Sequence, residues 1–387
     1  MSCYSNITVK HNILAKLGNI QRYCNFFANK ILFLRSDGCY VDKISTFVSL
    51  MKHTITINDG STLYVGRHTE LLPELLPSGR VIVITDANID RHYRSLVGSY
   101  EHIIIGGGEA NKSLQSVTAI YDRLMAMGAD RSTFLVGIGG GIVTDIVGFV
   151  ATTYMRGLGF GFLSTTLLGQ VDASIGGKNG VNVAGYKNMV GTFSHPRFVI
   201  SDVEMLRTLP LRELRAGMAE AVKSAIVGDA ELFDYIETHA SEAIYTDTEA
   251  LQHIVLRSVA VKNRIVQADE REEGLRRQLN LGHTLGHAIE KLTHRLNHGE
   301  AVAVGMSLIA HAAVGYSVLK AADAKRIDDL LTKLGFSLEP PVPIAEILRE
   351  VRYDKKKYND SLHAVMPEAI GRCRVVELKF EEFEKLF

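Results

Sequence analysis

Between Asn280 and Val302 the chain reads NLGHTLGHAIEKLTHRLNHGEAV, with four histidines (His283, His287, His294 and His298) inside sixteen residues. His283 and His287 are four apart and would share one face of a helix. A zinc protease places a glutamate directly after the first such histidine, where this chain has Thr284. A proteolytic metal is therefore not what these imidazoles hold. A carboxylate from one helix and two imidazoles from another would make a zinc set with a position left for substrate. The residue types do not say which two histidines bind. His294, beside Arg295 in a polar run, reads as a surface residue.

Carboxylates and cations for such a site lie upstream. In LRELRAGMAEAVKSAIV, Glu220 and Lys223 share a face rich in Ala and Met. A charge on an apolar stripe needs a partner or a metal, and pairing within the helix is the simpler reading for these two. Lys262 sits likewise between Val259 and Val266, and Glu272, Arg276 and Asn280 lead into the histidines. The segment TTLLGQVDASIGGKNGVNVAGYKNMVG sets Asp172, Lys178, Lys187 and Asn188 among glycines. Lysines clustered there suit a phosphorylated, acidic substrate. Gly137 to Gly141 form a strand-to-helix turn that could take a phosphate. Ile142 occupies the last glycine place of the dinucleotide fingerprint, so a plain tight turn stays open. Asp86, ending an apolar run, could hold a ribose hydroxyl or cap a helix.

The elements that must carry these residues fall into two kinds. From Thr54 to about Val203, runs such as RVIVITDAN and TFLVGIGGGIVTDIVGFVA alternate apolar strand, glycine turn and helix. That pattern predicts a Rossmann-like parallel α/β domain over 51–205, with ligands at the strand C-termini. From Leu206 onward helix follows helix, predicting an all-α metal- and substrate-binding domain over 206–387 and an active site in the cleft between the two. Residues 1–50 show little periodicity and most of the cysteine, ahead of a start-like Met51 and the strand signal MKHTITIND. We read them as an upstream extension outside the fold.

Composition narrows the function further. Lys plus Arg and Asp plus Glu are balanced at 43 each, which leaves no basic field for nucleic acid or anionic lipid. No apolar run of eighteen residues occurs, so no membrane span is expected. The four cysteines form no C-x-x-C pair, which fits a reducing cytoplasm.

The motifs GGGEANKSL, GGGIVTDIVGFVATTYMRG, STTLLGQVDASIGGK, GYKNMVG, RELRAGMAEAVK, ADEREEGLR, NLGHTLGHAIE and HGEAVAVGM occur in one order. Together they resemble the 3-dehydroquinate synthases of the sugar-phosphate cyclase superfamily, over about Thr54 to the C-terminus. The resemblance implies a divalent metal, zinc or cobalt, held by Glu220, His283 and His298, which frees His287 for substrate. It implies NAD contacts at Asp86, Asn88, Glu109, Lys112, Gly140, Gly141, Asp145, Thr165, Thr166, Leu168, Lys187 and Thr208. Lys178, Asn188, Asn280 and a lysine of Asp354-Lys355-Lys356, with Lys356 favoured, would receive the substrate phosphate. Lys262 and Arg276 would take the substrate carboxylate, while Asp172, Lys223, Glu272 and His287 surround the reacting hydroxyls. Arg156 would reach into the neighbouring subunit of a homodimer. Two departures stand out: Asn179 replaces a commoner threonine, and the gap between His287 and His298 is short.

The implied enzyme is a carbon–oxygen lyase of the shikimate pathway of aromatic amino acid biosynthesis. It would turn 3-deoxy-D-arabino-heptulosonate 7-phosphate into 3-dehydroquinate and phosphate. Transient oxidation at C5, phosphate elimination, reduction and aldol closure would follow in that order. The nearest alternatives are cyclases that make 2-deoxy-scyllo-inosose or 2-epi-5-epi-valiolone from substrates without a carboxylate. A metal-dependent alcohol dehydrogenase would not need the lysines, and a non-catalytic NAD or zinc binding module would not need the full motif set.

Overall fold

Alternating Thr and Ile in His53–Asn58 (β1) put isoleucines inward and threonines outward, and β1 pairs antiparallel with Ser61–Val65 (β2). The structure, a computed structural model, describes residues 52–58, 60–293, 295–355 and 361–387, without the side chains of 354 and 355. The expected extension over 1–50, His294, the Lys355 side chain and Lys356 lie outside the described residues. From Lys52 onward the chain forms one compact unit.

The sheet continues through Val81–Asp86 (β3), Glu101–Ile105 (β4), Phe134–Gly139 (β5) and Gly159–Ser164 (β6). A separate antiparallel hairpin, Lys178–Val183 (β7) with Tyr186–Phe193 (β8), precedes Phe198–Ser201 (β9). The main sheet has seven strands in the order β1-β2-β9-β6-β5-β3-β4, and every pairing after β1–β2 is parallel. Side chains alternate across the sheet. Ile82, Ile84 and Leu135 therefore join the main core, while Val83, Phe134 and Val136 pack in a second cluster. Burial on both faces explains why these strands read as continuous apolar runs.

Helices Leu114–Ala126 (α1) and Gly141–Thr153 (α2) belong to this layer. Pro210 then caps Leu211–Gly228 (α3), as a proline at a helix start can. Ala230–His239 (α4), Thr248–Ala268 (α5), His283–Leu292 (α6), His298–Gly315 (α7), Ala321–Lys333 (α8) and Ile344–Lys355 (α9) follow. The helical region also holds an antiparallel hairpin, Ser361–Ala369 with Arg372–Lys379 (β10 and β11), which its helical periodicity did not announce.

Glycines set the spacing of the central helices. A Cβ on Gly299 of α7 would lie 2.3 Å from Ala216 Cα of α3. One on Gly217 of α3 would lie 2.5 Å from the backbone nitrogen of Leu168 in the loop after β6. With α3 so placed, nearly its whole length is buried, including Glu220 and Lys223.

Candidate active site

Glu220 on α3 is 0% exposed, and its Oε1 lies 3.6 Å from His283 Nε2 and 3.4 Å from His298 Nε2. The three residues offer one ligand atom each within 4.8 Å of one another. Neither carboxylate oxygen makes a hydrogen bond among the described residues, although Lys223 Nζ is in ion-pair contact with Oε2. A buried carboxylate left without hydrogen bonds is costly unless a cation answers it. Its donor partners are prepared for one. His283 Nδ1 meets the Leu281 carbonyl at 3.0 Å, which leaves Nε2 free to face Glu220. Burial pushes the His283 imidazole down to about 3, keeping it neutral as a ligand must be. For His298 burial opposes the charge, but the carboxylates of Glu220 and Glu290 outweigh it and raise the pKa to about 9. One carboxylate and two imidazoles are a donor set that fits a catalytic zinc.

Next to this set lies a cluster of cations around Asp172. Lys223 Nζ is 3.4 Å and Lys262 Nζ 2.8 Å from Asp172 Oδ1, and Lys262 also donates to the Asp172 carbonyl at 2.7 Å. Burial raises the Asp172 carboxyl, but the two ammoniums outweigh it and hold it below its ordinary range. Arg276 is 3% exposed, donates to the carbonyls of Glu270 and Gly176, and forms no ion pair among the described residues. Burial accordingly lowers its pKa, as it does that of Lys262. Pairing within α3 alone, the simpler reading of Glu220 and Lys223, understates Lys223, which bridges two carboxylates. On the outer side Lys178 and Asn280 both donate to Glu272, Asn280 at 2.5 Å.

A second region surrounds the turn after β5. A Cβ on Gly140 would lie 2.7 Å from Thr166 Cγ2, and one on Gly141 3.0 Å from Ala173 Cβ. The Thr165 amide donates to the Gly139 carbonyl at 3.0 Å, and the Gly169 amide to Thr166 Oγ1 at 3.0 Å. Buried Thr165 Oγ1 has no hydrogen-bond partner among the described residues. Lys112 Nζ reaches Asp145 at 2.5 Å and Asn188 Oδ1 at 2.6 Å, and Asn182 donates to Glu109 at 2.8 Å. Asn188 thus lies with the Lys112 group in this structure and not with Lys178. Asp86 caps the helix after β3 through Oδ1, receiving the amides of Asn88 at 2.8 Å and Ile89 at 3.1 Å. Thr208 Oγ1 is 3.1 Å from the Tyr93 hydroxyl. Asn179 fits its unusual place because Gly148 opposes it, where a Cβ would lie 1.8 Å from Asn179 Oδ1.

Arg156 is exposed on a turn with positive φ at Met155 and Arg156, and has no hydrogen bond or ion pair among the described residues. His287 opens toward a cavity of about 480 Å³ lined also by Glu272, Asn280, His283, Arg277, Glu350 and His363. Sequence reasoning passed over Glu290, whose carboxylate contacts His298 Nδ1 at 3.2 Å and Lys187 Nζ at 2.8 Å. Its signal was its place three residues after His287 on the same helix. Burial raises its pKa, but His298 and Lys187 outweigh this and hold it down to about 2.

Solved structures share this layout. ValA, a 2-epi-5-epi-valiolone synthase from Streptomyces hygroscopicus subsp. jinggangensis 5008 with NAD+ and Zn2+ bound, matches at TM-score 0.78 and 28% identity, over 87% of this chain and 98% of its own. A 2-deoxy-scyllo-inosose synthase complexed with carbaglucose-6-phosphate, NAD+ and Co2+ matches at 0.78 and 26%, over 87% and 99%. A butanol dehydrogenase from Thermotoga maritima, at TM-score 0.61 and 17% identity over 86% and 97%, shares the fold alone. Fold and site thus define a protein of the sugar-phosphate cyclase class.

Within that class the sequence is specific. Family models described as 3-dehydroquinate synthase N-terminal and C-terminal match residues 102–216 and 217–357. The 3-dehydroquinate synthase of Ruminiclostridium cellulolyticum is 36% identical over 352 residues, 87% of this chain and 98% of its own. That of Idiomarina loihiensis is 40% identical over 338 residues, 85% and 94%. The chain belongs to the 3-dehydroquinate synthase family.

Proposed function

We propose that this protein converts 3-deoxy-D-arabino-heptulosonate 7-phosphate to 3-dehydroquinate and phosphate, as a carbon–oxygen lyase, with NAD and one zinc or cobalt ion retained through the cycle. The observation that carries this choice of substrate is Arg276, a buried guanidinium that donates only to carbonyls and forms no ion pair among the described residues, with the buried Lys262 nearby. A substrate carboxylate would supply the missing anion. Substrates of the 2-deoxy-scyllo-inosose or 2-epi-5-epi-valiolone type carry no such group.

When bound, NAD would supply reversible hydride acceptance, and the metal on Glu220, His283 and His298 would supply polarisation of the hydroxyl being oxidised. The remaining steps belong to the chain. Lys178 and Asn280 would exchange Glu272 for the substrate phosphate, which releases the Glu272 carboxylate toward the substrate. Lys223 and Asp172 would hold a proton and its countercharge beside the reacting hydroxyls, with developing negative charge favoured by fixed ammoniums. His287, which lines the cavity, would bind the substrate from that side. The Lys112, Asp145, Asn188 and Glu109 group, the Gly140–Gly141 turn and Thr165 and Thr166 would seat the dinucleotide.

A homodimer completes the reading. Strand β8 exposes Tyr186, Met189, Val190 and Phe193, and Thr152 Oγ1 bonds Thr192 Oγ1 at 2.9 Å, so the helix leading to Arg156 ends against that strand. The cytoplasm is the proposed location, and no helix among the described residues is long and apolar enough to cross a membrane.

Phosphate release from the heptulosonate phosphate tests the proposal. It should require NAD and stop with a chelator. Turnover of only glucose 6-phosphate or sedoheptulose 7-phosphate would move the protein to another cyclase.

A further inference from the structure

Glu290 joins two parts of the molecule that the proposed function keeps separate. It lies on α6, its side chain is 9% exposed, and its two oxygens face different partners. Oε2 is 3.2 Å from His298 Nδ1 at the start of α7, and Oε1 is 2.8 Å from Lys187 Nζ on β8. An ionised carboxylate only accepts, so His298 Nδ1 must carry the hydrogen. That contact turns His298 Nε2 toward Glu220, 3.4 Å away. Lys187 is half exposed and belongs to the β7–β8 hairpin, which packs against α2 and carries Asn188 and Asn182 of the Lys112 group. A shift of the hairpin therefore pulls on the carboxylate that orients a ligand of the metal.

We propose that Glu290 is a positioning residue with two functions: it fixes His298 for the metal, and it links the metal site to the hairpin so that metal and NAD bind cooperatively. This rests on reading Glu220, His283 and His298 as the metal site and Lys187 as part of the NAD site. Outer-shell carboxylates on a ligating histidine set its tautomer and ring orientation, and their loss weakens metal binding about 10- to 100-fold. Coupling between sites is reciprocal, so it is measured as the ratio of NAD dissociation constants without and with metal.

The experiment titrates Zn2+ by chelator competition, and NAD with and without Zn2+, in the full chain, in Glu290→Gln and in Lys187→Met. Wild type should show tighter NAD binding when Zn2+ is present. Glu290→Gln should bind Zn2+ about 10- to 100-fold more weakly and lose the metal's effect on NAD. Lys187→Met changes an exposed side chain, so it should fold normally, keep the Zn2+ affinity, and lose the coupling. Unchanged Zn2+ affinity in Glu290→Gln would overturn the positioning role, and full coupling in Lys187→Met would overturn the link. Glu290 also lies with His287 and His298 in a group whose ligand atoms fall within 4.8 Å of one another. A second equivalent of Zn2+ bound by wild type and lost in Glu290→Gln would make Glu290 a ligand and overturn the proposal too. Glu220→Gln separates the underlying reading, since wild-type Zn2+ binding there refutes the metal site itself, whatever Glu290 does.

Discussion

Lys262 is where the choice between a carboxylated and an uncharged substrate becomes measurable. Its ammonium is buried against Asp172, and a second buried cation, Arg276, lies in the same wall without an ion-pair partner among the described residues. Replacing Lys262 by Met should raise KM for the heptulosonate phosphate about 10- to 100-fold, the worth of a hydrogen bond to a charged group. Steady-state kinetics at unchanged metal content checks this, and an unchanged KM would remove Lys262 from carboxylate binding. The histidines give a second test. His283→Ala should be purified without stoichiometric metal, because its Nε2 faces Glu220 and its Nδ1 is fixed by a carbonyl. His287→Ala should retain metal and lose rate, since His287 is not in the set around Glu220. Elemental analysis of both proteins decides. At this scale the residue types were legible in the sequence, down to the clustered imidazoles and the charges on apolar stripes. Which histidines ligate was not, because His287 and His298 are equally available until α3 brings Glu220 to one side. Glu290 was hidden for a related reason: on a helix an exposed charge and a buried one have the same spacing.

At the scale of elements, the site exists because helices approach too closely for side chains between them. Gly299 immediately follows His298, and its missing Cβ lets α7 rest on the Ala216 backbone of α3. Gly299→Ala should therefore push His298 away from Glu220, with a stability loss of about 1–3 kcal/mol for overpacking and weaker metal binding. Denaturant unfolding and a metal titration test it, and wild-type values in both would show that the helices can yield. A different junction governs pH behaviour. Asp229 caps α4 through the Leu232 amide at 3.0 Å and pairs with Arg257 of α5 at 2.7 and 2.8 Å. Burial raises its carboxyl, but Arg257 and the cap outweigh this and place the folded pKa below the ordinary value of 3.8. A depressed carboxylate contributes stability above its unfolded pKa and loses it as pH falls through the folded one. Asp229→Ala should cost about 1–2 kcal/mol at neutral pH, and the gap to wild type should close on acidification through that window. A gap that stays constant into acid would show that the charge contributes nothing. Helices with caps and long periodic faces were readable from the sequence. The β10–β11 hairpin was not, since Pro367 interrupts its first strand and polar residues precede it. The β7–β8 pair was likewise not announced, because the lysines and asparagines of its glycine-rich segment mask the alternation of a strand.

For the whole molecule, no count of charges or apolar residues indicates a second subunit, and the proposed homodimer draws on the surface. Strand β8 belongs to a two-stranded hairpin, so one edge has no strand partner among the described residues, and Met189 and Phe193 on it are 59% and 53% exposed. Edges with apolar side chains are usually covered. The helix whose Thr152 bonds Thr192 of β8 runs on to Met155, 42% exposed, and Arg156 on their positive-φ turn. An arginine held in a costly backbone conformation points to a functional role, and its proposed role is to serve a second copy. If it does, two inactive variants should repair each other. Arg156→Ala keeps an intact metal set but donates no arginine, whereas Glu220→Ala lacks the metal set and still donates one. In a two-fold dimer formed by random mixing, half the dimers are mixed and each holds one complete site. Co-refolded or co-expressed chains should then recover about a quarter of wild-type activity, while each variant alone stays near zero. Sedimentation should report dimers in all three preparations. Recovery of no activity from well-formed mixed dimers would show that Arg156 acts within its own subunit, and monomers throughout would remove the shared site altogether.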